Sequence, residues 1–590
     1  MRLGKRNTLL VMACSFLIAA SVAWAALAWT RTTNVSNTSG MPDGIEPSGD
    51  RNNSYAWCME VLPQTDGDYL YVGSNRNLAY FIYGGSSMTS EQIENLSLNY
   101  LSGDLPYEQP GATDFRAKVF RYKLDGTGPW EEVYQSPTQL VSGDVTIGKE
   151  SGFRGMQTYA PAGQDPALFA VTFNEGVPNP VCRVLKFPSD FTLGEEPEEV
   201  FTDSTGSLRG ITVHDGKLFV GTDGYKDTRA AVFYSSDPVS NDSWTPVLYP
   251  SEIGRNSVGV WDLISYNDYL YVFAGTRVYK GRYVGMGEPG TNSQGWTWET
   301  IVGSKLSQGA KCPRGLGNPN IAAMSPFPFS VGGQDYVYVT TFANMPVALA
   351  YLAAALNGIV SPDVAFGQFF ARLDPAQVYR FDENDDWEMI IGDLDKNVYP
   401  TSDDWGALEG TPVFSSRLGN YGAGFYNPSL EQILAGDDTN LSFNQYTWWM
   451  DTYDGNLYCT TFDYRVFTRY IRDLTSDPTV IERLDTVDRL NTNPMGFDLY
   501  VTEDGVNWSA VTRNGFGDPY NYGGRTLKST SEGLFVGTAN PFWGAQVWKV
   551  TGTVDDAGDG GGGGGCSSAG LVPMGLLLLV PMFVVSRRKH

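Results

Sequence analysis

The amino-acid sequence predicts an all-β fold in which seven small sheets close into a ring. Two observations carry this prediction: one apolar strand motif recurs along the 590 residues, and similar strands flank most of its copies. The aromatic and β-branched residues of the motif favour strands. The copies are DYLYVGS (68–74), ALFAVTF (167–173), KLFVGTD (217–223), DYLYVFAG (268–275), DYVYVTTF (335–342), NLYCTTF (456–462) and GLFVGTA (533–539).

The strands around each copy complete a repeating unit. A short apolar strand precedes the motif, as at 209–216, one follows it, as at 545–550, and a fourth often opens with Trp, as at 244–249. Four antiparallel strands that repeat in this way are typical of a β-propeller, because one such sheet must bury its faces against its neighbours. We expect a seven-bladed β-propeller over residues 55–552, although six or eight blades also fit the stretched first and sixth units.

The last unit has three strands, so its outer strand must come from elsewhere. Residues 31–54 precede the first unit and would supply that strand as a latch for the ring. Residues 1–30 combine an early basic cluster, an apolar run and small residues around Ala25 and Ala28. This order predicts a signal peptide, with a retained membrane anchor as the alternative.

The C-terminal end also has the features of a targeting segment. An acidic and Gly-rich linker spans 553–565, and residues 566–590 hold Cys566, a short apolar stretch and a basic end. The stretch is at the short limit for a membrane span. This order resembles bacterial C-terminal sorting tails of the Synergist-CTERM and Myxo-CTERM type. The resemblance implies export, processing near Cys566 and attachment at the cell surface or outer envelope; a plain single-span anchor is the alternative. In either case the membrane is touched only through the terminal segments.

Composition narrows the classes of partner and cofactor. A net charge of −25 argues against nucleic-acid binding. Because the only histidines are His214 and His590, a His-rich zinc site is excluded. The segment Asp393–Asn397 resembles the start of a calcium-binding EF-hand loop but lacks its glycine, and Asp404 stands where Glu is usual. We therefore expect no cofactor, with calcium as an incompletely supported exception.

Export would place the cysteines of the body in an oxidising compartment, where two disulfides can form. Four cysteines allow three pairings, and the sequence does not choose among them. They are Cys58, Cys182, Cys312 and Cys459.

A second resemblance concerns the segment Thr502–Trp508, TEDGVNW. It is similar to an Asp-box, the hairpin motif of secreted bacterial propellers of the BNR or Asp-box type. The resemblance implies a structural role, in which the Asp caps the turn and the Trp packs between strands. The sialidases of that group carry an Arg-Ile-Pro signature that is absent here, so their activity is not implied.

Four long insertions interrupt the repeat, and in a propeller their loops share one face of the ring. They occupy 75–116, 341–376, 393–446 and 463–495. Long ordered loops often carry function, so we expect a ligand on this face, with variable decoration as the alternative. Within the second insertion, Ala348–Leu356 predicts a short apolar helix, either a buried lid or a partner-docking element.

Candidate ligand-binding residues lie next to the innermost strands. Arginines recur there, and a ring of guanidinium groups suits a carboxylate or sulfate; inter-blade salt bridges are the alternative. Tryptophans in matching positions suit a sugar, although they also suit packing. A loop near the end of the chain adds two aromatic residues on the same face. The candidates are Arg154, Arg209, Arg314, Arg525, Trp261, Trp448, Phe542 and Trp543.

Together these features predict a monomeric, surface-anchored binding propeller, with a glycan or a surface protein or peptide as its partner. An extracellular carbohydrate-active hydrolase or lyase, with carboxylates at the central channel, is the second hypothesis. A structural envelope protein without a small ligand is the third. No catalytic residue can be assigned from the sequence, since its 66 acidic residues offer many pairs at unknown separations.

Overall fold

The fold rests on short antiparallel strands. The structure is a computed structural model, and residues Leu27–Gly552 form one compact unit. The residues that it describes are 27–33, 53–76, 113–142, 145–174, 180–204, 206–223, 229–306, 309–343, 359–370, 376–401, 405–414, 419, 444–465, 477–490, 494–540 and 544–552.

The strands in the first half of the chain are β1 (Ala28–Arg31), β2 (Asn53–Gln64), β3 (Gly67–Arg76), β4 (Thr113–Asp114), β5 (Lys118–Lys123), β6 (Glu131–Gln135), β7 (Thr138–Ser142), β8 (Val145–Gly148), β9 (Gly152–Tyr159), β10 (Ala167–Phe173), β11 (Cys182–Pro188), β12 (Glu198–Asp203), β13 (Leu208–His214), β14 (Lys217–Thr222), β15 (Val232–Ser235), β16 (Thr245–Leu248), β17 (Asp262–Tyr266), β18 (Tyr269–Ala274), β19 (Arg277–Tyr283) and β20 (Trp296–Gly303).

The second half contributes β21 (Cys312–Pro313), β22 (Ile321–Val331), β23 (Gln334–Ala343), β24 (Val378–Phe381), β25 (Trp387–Ile391), β26 (Asn444–Tyr453), β27 (Asn456–Asp463), β28 (Leu499–Thr502), β29 (Ser509–Thr512), β30 (Gly523–Thr530), β31 (Gly533–Ala539) and β32 (Val547–Thr551). The α-helices in the described part of the chain are α1 (Pro362–Phe370) and α2 (Pro478–Leu490).

Antiparallel pairing groups these strands into sheets of four, numbered along the chain. The described sheets are β2-β3-β5-β6, β9-β10-β11-β12, β13-β14-β15-β16, β17-β18-β19-β20, β22-β23-β24-β25, β26-β27-β28-β29 and β30-β31-β32-β1. Strand β21 adds a short parallel pairing to β20, and β4, β7 and β8 form a small separate sheet.

The sheets close into a ring through their first strands. Each first strand contacts the first strands of the sheets before and after it, and β30 of the last sheet contacts β2 of the first. A bridge between Tyr55 and Ala539 also joins the first and last sheets. The protein is therefore an all-β β-propeller, as the sequence predicts.

The hydrophobic core lies between neighbouring sheets rather than at the centre of the ring. One cluster joins Tyr71 of the first sheet to Phe187 of the second, and another joins Tyr271 of the fourth to Phe381 of the fifth. Each sheet thus buries both of its faces against its neighbours, which explains why aromatic and branched residues fill nearly every position of the motif strands.

Hairpin turns between first and second strands follow the turn chemistry of the sequence. Asp215 and Gly216 have φ of 46° and 67°, and Asp454 and Gly455 have φ of 50° and 77°. Two-residue turns with positive φ at both positions match the twist of the flanking strands, and Asp and Gly tolerate that conformation. These turns lie on the face of the ring opposite the long insertions.

The seventh sheet takes its outer strand from the N-terminal side, but from an earlier segment than we expected. Strand β1 pairs with β32, with Ala28 opposite Thr551 and Arg31 opposite Trp548. The strand thus lies at the end of the segment assigned to the signal peptide, just before residues 31–54. Most of 31–54 and most of the signal peptide lie outside the described residues.

Two of the insertions contribute the α-helices of the described chain. Helix α1 lies in the insertion 341–376 and α2 in 463–495, and an ion pair between Asp363 and Arg483 links them. The predicted helix Ala348–Leu356 lies outside the described residues. Among the helices that the structure describes, none combines the length and apolar character needed to cross a membrane.

Candidate functional site

A cavity of about 370 Å³ occupies the centre of the ring. Every first strand contributes to its wall, so it is the central channel of the propeller. One lining residue from each sheet, in order, is Glu60, Arg154, Arg209, Trp261, Pro326, Trp448 and Arg525.

The channel residues are aimed inward by bulges in the first strands. A register shift leaves Arg154 unpaired between Phe153 and Gly155, and an equivalent shift leaves Arg525 unpaired between Gly524 and Thr526. A bulge bends its strand and redirects the extra side chain. Comparable shifts occur at Trp57, at Arg209–Gly210, at Ala322 and at Trp448–Trp449.

Three of the four predicted arginines meet at the end of the channel that faces the insertions. Arg154 pairs with the Asp223 carboxylate, and Nη1 of Arg209 lies 3.6 Å from the same carboxylate oxygen. These two arginines therefore share one acidic partner. The alternative role that we considered for the arginines, an inter-blade salt bridge, therefore applies to Arg154, whose partner Asp223 belongs to the next sheet.

Tryptophan rings lie beside the guanidinium groups. The guanidinium carbon of Arg209 lies 3.4 Å from the Trp261 ring centroid. That of Arg525 lies 5.6 Å from the ring of Trp448 and 5.9 Å from the ring of Trp57. These distances are within the range of cation–π attraction. The three arginines and Trp57, Trp261 and Trp448 are called the arginine–tryptophan belt below.

Room for Trp57 depends on a glycine of the next sheet. A Cβ at Gly152 would lie 2.4 Å from an atom of the Trp57 ring, closer than a real contact allows. In the fifth sheet the bulge residue is Ala322, whose side chain is small. The rings of Trp261 and Trp448, from the sheets on either side, lie 5.6 Å apart between centroids. Small residues next to large ones thus shape the belt.

Arg525 is the arginine of the belt that has no carboxylate partner within the described residues. Its side chain is only 3% exposed, and its Nη1 has no hydrogen-bond partner within the described residues. Buried donors are nearly always paired, so an unpaired guanidinium nitrogen at a cavity wall calls for a partner from outside the chain.

The electrostatics of the belt are those of a crowded cationic cluster. Burial, followed by repulsion from Arg154, lowers the pKa of Arg209 to about 9, and Asp223 offsets part of this effect. Burial also lowers the pKa of Arg525. Burial raises the pKa of Tyr446, so its phenol stays neutral beside the arginines.

Burial raises the pKa of two carboxyl groups in the channel, Asp262 and Asp451. Asp262 begins strand β17 and accepts a hydrogen bond from the Ser325 hydroxyl. The enclosing walls raise its pKa to about 6, although this hydrogen bond and the charges of Arg209 and Arg525 act in the opposite direction. Asp262 therefore changes charge near neutral pH.

The structure does not bring all predicted site residues together. Arg314 is exposed and lies in a short 3-10 helix, Arg314–Gly317, between the fourth and fifth sheets and away from the channel. It was expected in the ring because it precedes the fifth first strand, but Ala322 takes that place. Phe542, Trp543 and Cys566 lie outside the described residues.

Three residues of the site were not predicted from the sequence. Trp57 had a signal, since Trp57–Glu60 (WCME) resembles Trp448–Asp451 (WWMD) of the sixth sheet. Asp223 ends a motif strand, and Asp262 follows Trp261, but nothing in the sequence pairs either with the arginines. Those contacts depend on how neighbouring sheets meet.

In the described residues, the segment that resembles a calcium-binding loop and the four cysteines make contacts other than those of a metal site or a disulfide. Asn397 is buried and donates hydrogen bonds to the Leu316 carbonyl and the Tyr379 hydroxyl. Asp404 lies outside the described residues, and within those residues no three His, Cys, Asp or Glu side chains are grouped to hold a metal. No disulfide joins the four cysteines of the body, all of which are described and buried.

Comparisons with known proteins add little beyond the fold. No family model matches the chain, and no curated protein matches it. Among solved structures, the N-terminal domain of Nup159 is similar at 8% identity, covering 89% of this chain and 96% of that one, with a TM-score of 0.35.

Two other solved structures are similar over shorter parts. A Trypanosoma rangeli sialidase in complex with sialic acid has 9% identity, 74% and 57% coverage of the two chains and a TM-score of 0.28. The six-bladed fucose-binding lectin of Aleuria aurantia has 11% identity, 58% and 79% coverage and a TM-score of 0.25. Scores this low carry no conclusion about the ligand of this chain.

Proposed function

We propose that this protein is an extracellular, surface-anchored binding propeller whose central channel takes a saccharide that bears a carboxylate or sulfate group. The location follows from the two terminal segments of the sequence. The ligand class follows from the arginine–tryptophan belt, and the observation that carries it is the buried, unpaired Nη1 of Arg525.

An anion would relieve the electrostatic cost of the belt. Arg154 and Arg209 share the Asp223 carboxylate, and Asp262 is a nearby acid whose pKa lies close to neutral. An anionic oxygen beside Arg525 would accept the missing hydrogen bond and reduce repulsion among the arginines. Trp261 and Trp448, which line the cavity, would offer aromatic surface to a sugar. The net charge of −25 makes such a local cationic site unusual in this chain.

Calorimetric titration of the purified full chain in detergent tests the proposal. We expect glucuronate and inorganic sulfate to bind and glucose to bind much more weakly. A hydrogen bond to a charged group contributes about 1.5–3 kcal/mol, so Arg525→Gln should weaken glucuronate binding at least about tenfold.

The matched control is Arg314→Gln, which removes an exposed arginine outside the channel. Its affinity for glucuronate and its melting temperature should match the unmodified protein. If neither glucuronate nor sulfate nor any acidic saccharide on a glycan array binds, the proposal is wrong. If Arg525→Gln mainly collapses the fold, Arg525 is a structural residue.

The hydrolase or lyase hypothesis has one observation in its favour. An acid that titrates at about 6 inside a cavity, as Asp262 does, is suited to proton transfer near neutral pH. A polysaccharide-degradation screen decides between the two functions. Product that accumulates with the unmodified chain and disappears with Asp262→Asn would establish the enzyme.

A further inference from the structure

A second cavity adjoins the channel on the side of the hairpin turns. This cavity measures about 760 Å³ and lies among the hairpin turns of the fourth, fifth and sixth sheets, with Ser529 of the seventh. Ser265 and Pro328 line both cavities, so the two are neighbours. We call the second cavity the turn-side depression. It opens on the face opposite the insertions, for which the sequence predicts no ligand.

The depression differs from the arginine–tryptophan belt in charge. Its lining contains the exposed carboxylates of Asp335 and Asp454 and no lysine or arginine among the described residues. Between the two regions, Glu60 and Lys528 form an ion pair of 2.7 Å, and the carboxyl of Asp451 lies beside them. The path along the axis therefore runs from a cationic end to an anionic end.

The other lining groups of the depression suit uncharged hydroxyl-rich molecules. Asn267 is exposed, and the half-buried rings of Tyr336 and Tyr453 offer aromatic surface beside polar atoms. Side-chain amides donate hydrogen bonds to sugar hydroxyls, amides and carboxylates accept hydrogen bonds from them, and aromatic faces pack on sugar rings. The same carboxylates would repel a second acidic sugar.

The separation of the two regions sets a minimum ligand length. Ser529 at the depression follows Arg525 at the belt by four positions of β30, which is about 13 Å along an extended strand. A single sugar in the belt cannot reach the depression, whereas a short oligosaccharide can.

We infer that the ligand is a short glycan with its acidic residue at one end, seated in the arginine–tryptophan belt, and with uncharged sugars that extend into the turn-side depression. The inference rests on the proposed function, since it needs an acidic saccharide in the belt. It adds the orientation of the chain, the position of its charge and the face on which the glycan leaves the ring.

Titration of the full chain with four defined probes tests the inference. The probes are glucuronate, a trisaccharide with one terminal glucuronate on two glucose units, a trisaccharide of three uronates and a neutral glucose trisaccharide. We expect the trisaccharide with one terminal acid to bind at least about tenfold more tightly than glucuronate. The triple uronate should bind no more tightly than glucuronate, because Asp335 and Asp454 repel its outer charges.

A charge variant separates the depression from the belt. Asp454→Asn keeps the positive-φ turn, since Asn adopts that conformation readily, and removes one negative charge from the depression. It should strengthen binding of the triple uronate by about threefold and leave glucuronate unchanged. The matched control is Asp215→Asn, which lies in the same type of turn on the same face but outside the depression.

The outcomes distinguish the two proposals. If glucuronate does not bind, the proposed function fails and the inference fails with it. If glucuronate binds but neutral extension brings no gain, the proposed function stands and the inference is overturned. The inference is also overturned if the triple uronate binds as tightly as the trisaccharide with one acid, or if Asp215→Asn and Asp454→Asn act alike.

Discussion

Arg209 occupies a place that is unfavourable for a cation. Burial and the neighbouring Arg154 lower its pKa to about 9, and the shared carboxylate of Asp223 offsets only part of that cost. Its close stacking on Trp261 replaces some of the water that the cation loses. Apolar residues at such positions often give a more stable core. The arginines are therefore better explained by binding than by stability, which agrees with the proposed anion site.

Asp262 leads to a prediction about pH. Its pKa of about 6 in the folded state means that it becomes neutral as pH falls from 7.5 to 5. The groups around it are Ser325, the Leu263 amide, Arg209 and Arg525. Neutral Asp262 no longer offsets the arginines, so sulfate should bind more tightly at pH 5 than at pH 7.5. In calorimetric titrations, Asp262→Asn should bind sulfate at both pH 5 and pH 7.5 with the affinity that the unmodified protein has at pH 5.

Stability should respond to the same titration. Because the folded pKa of Asp262 is raised, the native state holds a proton that the unfolded chain has lost, and stability falls as pH rises from about 4 to about 6. Asp262→Asn should reduce this slope, while Asp498, whose pKa burial also raises to about 6, should maintain part of it. Asp215→Asn, which alters an exposed acid, is the control that should keep it. If the unmodified protein binds sulfate with the same affinity at pH 5 and at pH 7.5, the role given to the titration of Asp262 is wrong.

At the scale of the element, bulges explain why the arginines align unevenly in the sequence. Arg154 and Arg525 are single extra residues, whereas Arg209 shares its bulge with Gly210. A single extra residue changes the spacing to the following motif strand, so sequence alignment without gaps recovers only some members of the ring. In all three first strands the bulge directs a side chain toward the axis of the ring.

Strand β1 should stabilise the whole ring, since it completes the last sheet. Trp29 packs on Phe516 with centroids 5.4 Å apart, and the Trp130 indole of the first sheet donates to the Thr32 carbonyl at 3.1 Å. A chain that starts at Asn53 should therefore melt several degrees below one that starts at Ala26, as followed by circular dichroism. Trp29→Ala in the longer chain should give an intermediate loss. Equal melting temperatures would show that the ring does not depend on this strand.

The position of β1 also bears on the signal peptide. Cleavage after Ala25 would leave the strand whole, whereas cleavage after Ala28 would remove the residue that pairs with Thr551. The expected processing site is therefore the earlier of the two. N-terminal sequencing of the exported protein checks it, and a mature chain that begins at Trp29 would contradict it.

At the scale of the whole molecule, the reactivity of the cysteines tests whether a disulfide holds the ring together. Cys58, Cys182, Cys312 and Cys459 belong to different sheets, and all are buried without a disulfide between them. Burial raises the pKa of Cys58 and of Cys312 to about 12. In a chain of residues 27–552, these four thiols should not react with Ellman's reagent until the protein unfolds.

A reducing agent should leave the melting temperature of this chain unchanged, because strand pairing rather than a disulfide closes the ring. The unfolded protein provides the control, in which all four thiols should react. Fewer than four reactive thiols after unfolding, or a lower melting temperature on reduction, would show that disulfides form in this chain.

Much of the architecture is determined by the sequence itself. Strand periodicity, turn dipeptides such as Asp215-Gly216 and the recurrence of one unit are local properties, and local properties decide which segments become strands. Equivalent positions in a ring also face one axis. For that reason the repeat alone is enough to group five channel residues, which are Arg154, Arg209, Arg525, Trp261 and Trp448.

The tertiary structure alone decided what those residues touch. Asp223 reaches Arg154 from another sheet, Trp57 fits beside Gly152, and Arg314 is displaced by Ala322. The turn-side depression likewise forms only where the turns of three sheets meet. Such contacts join residues far apart in the chain, and they depend on bulges and on ring closure, neither of which leaves a local pattern in the sequence.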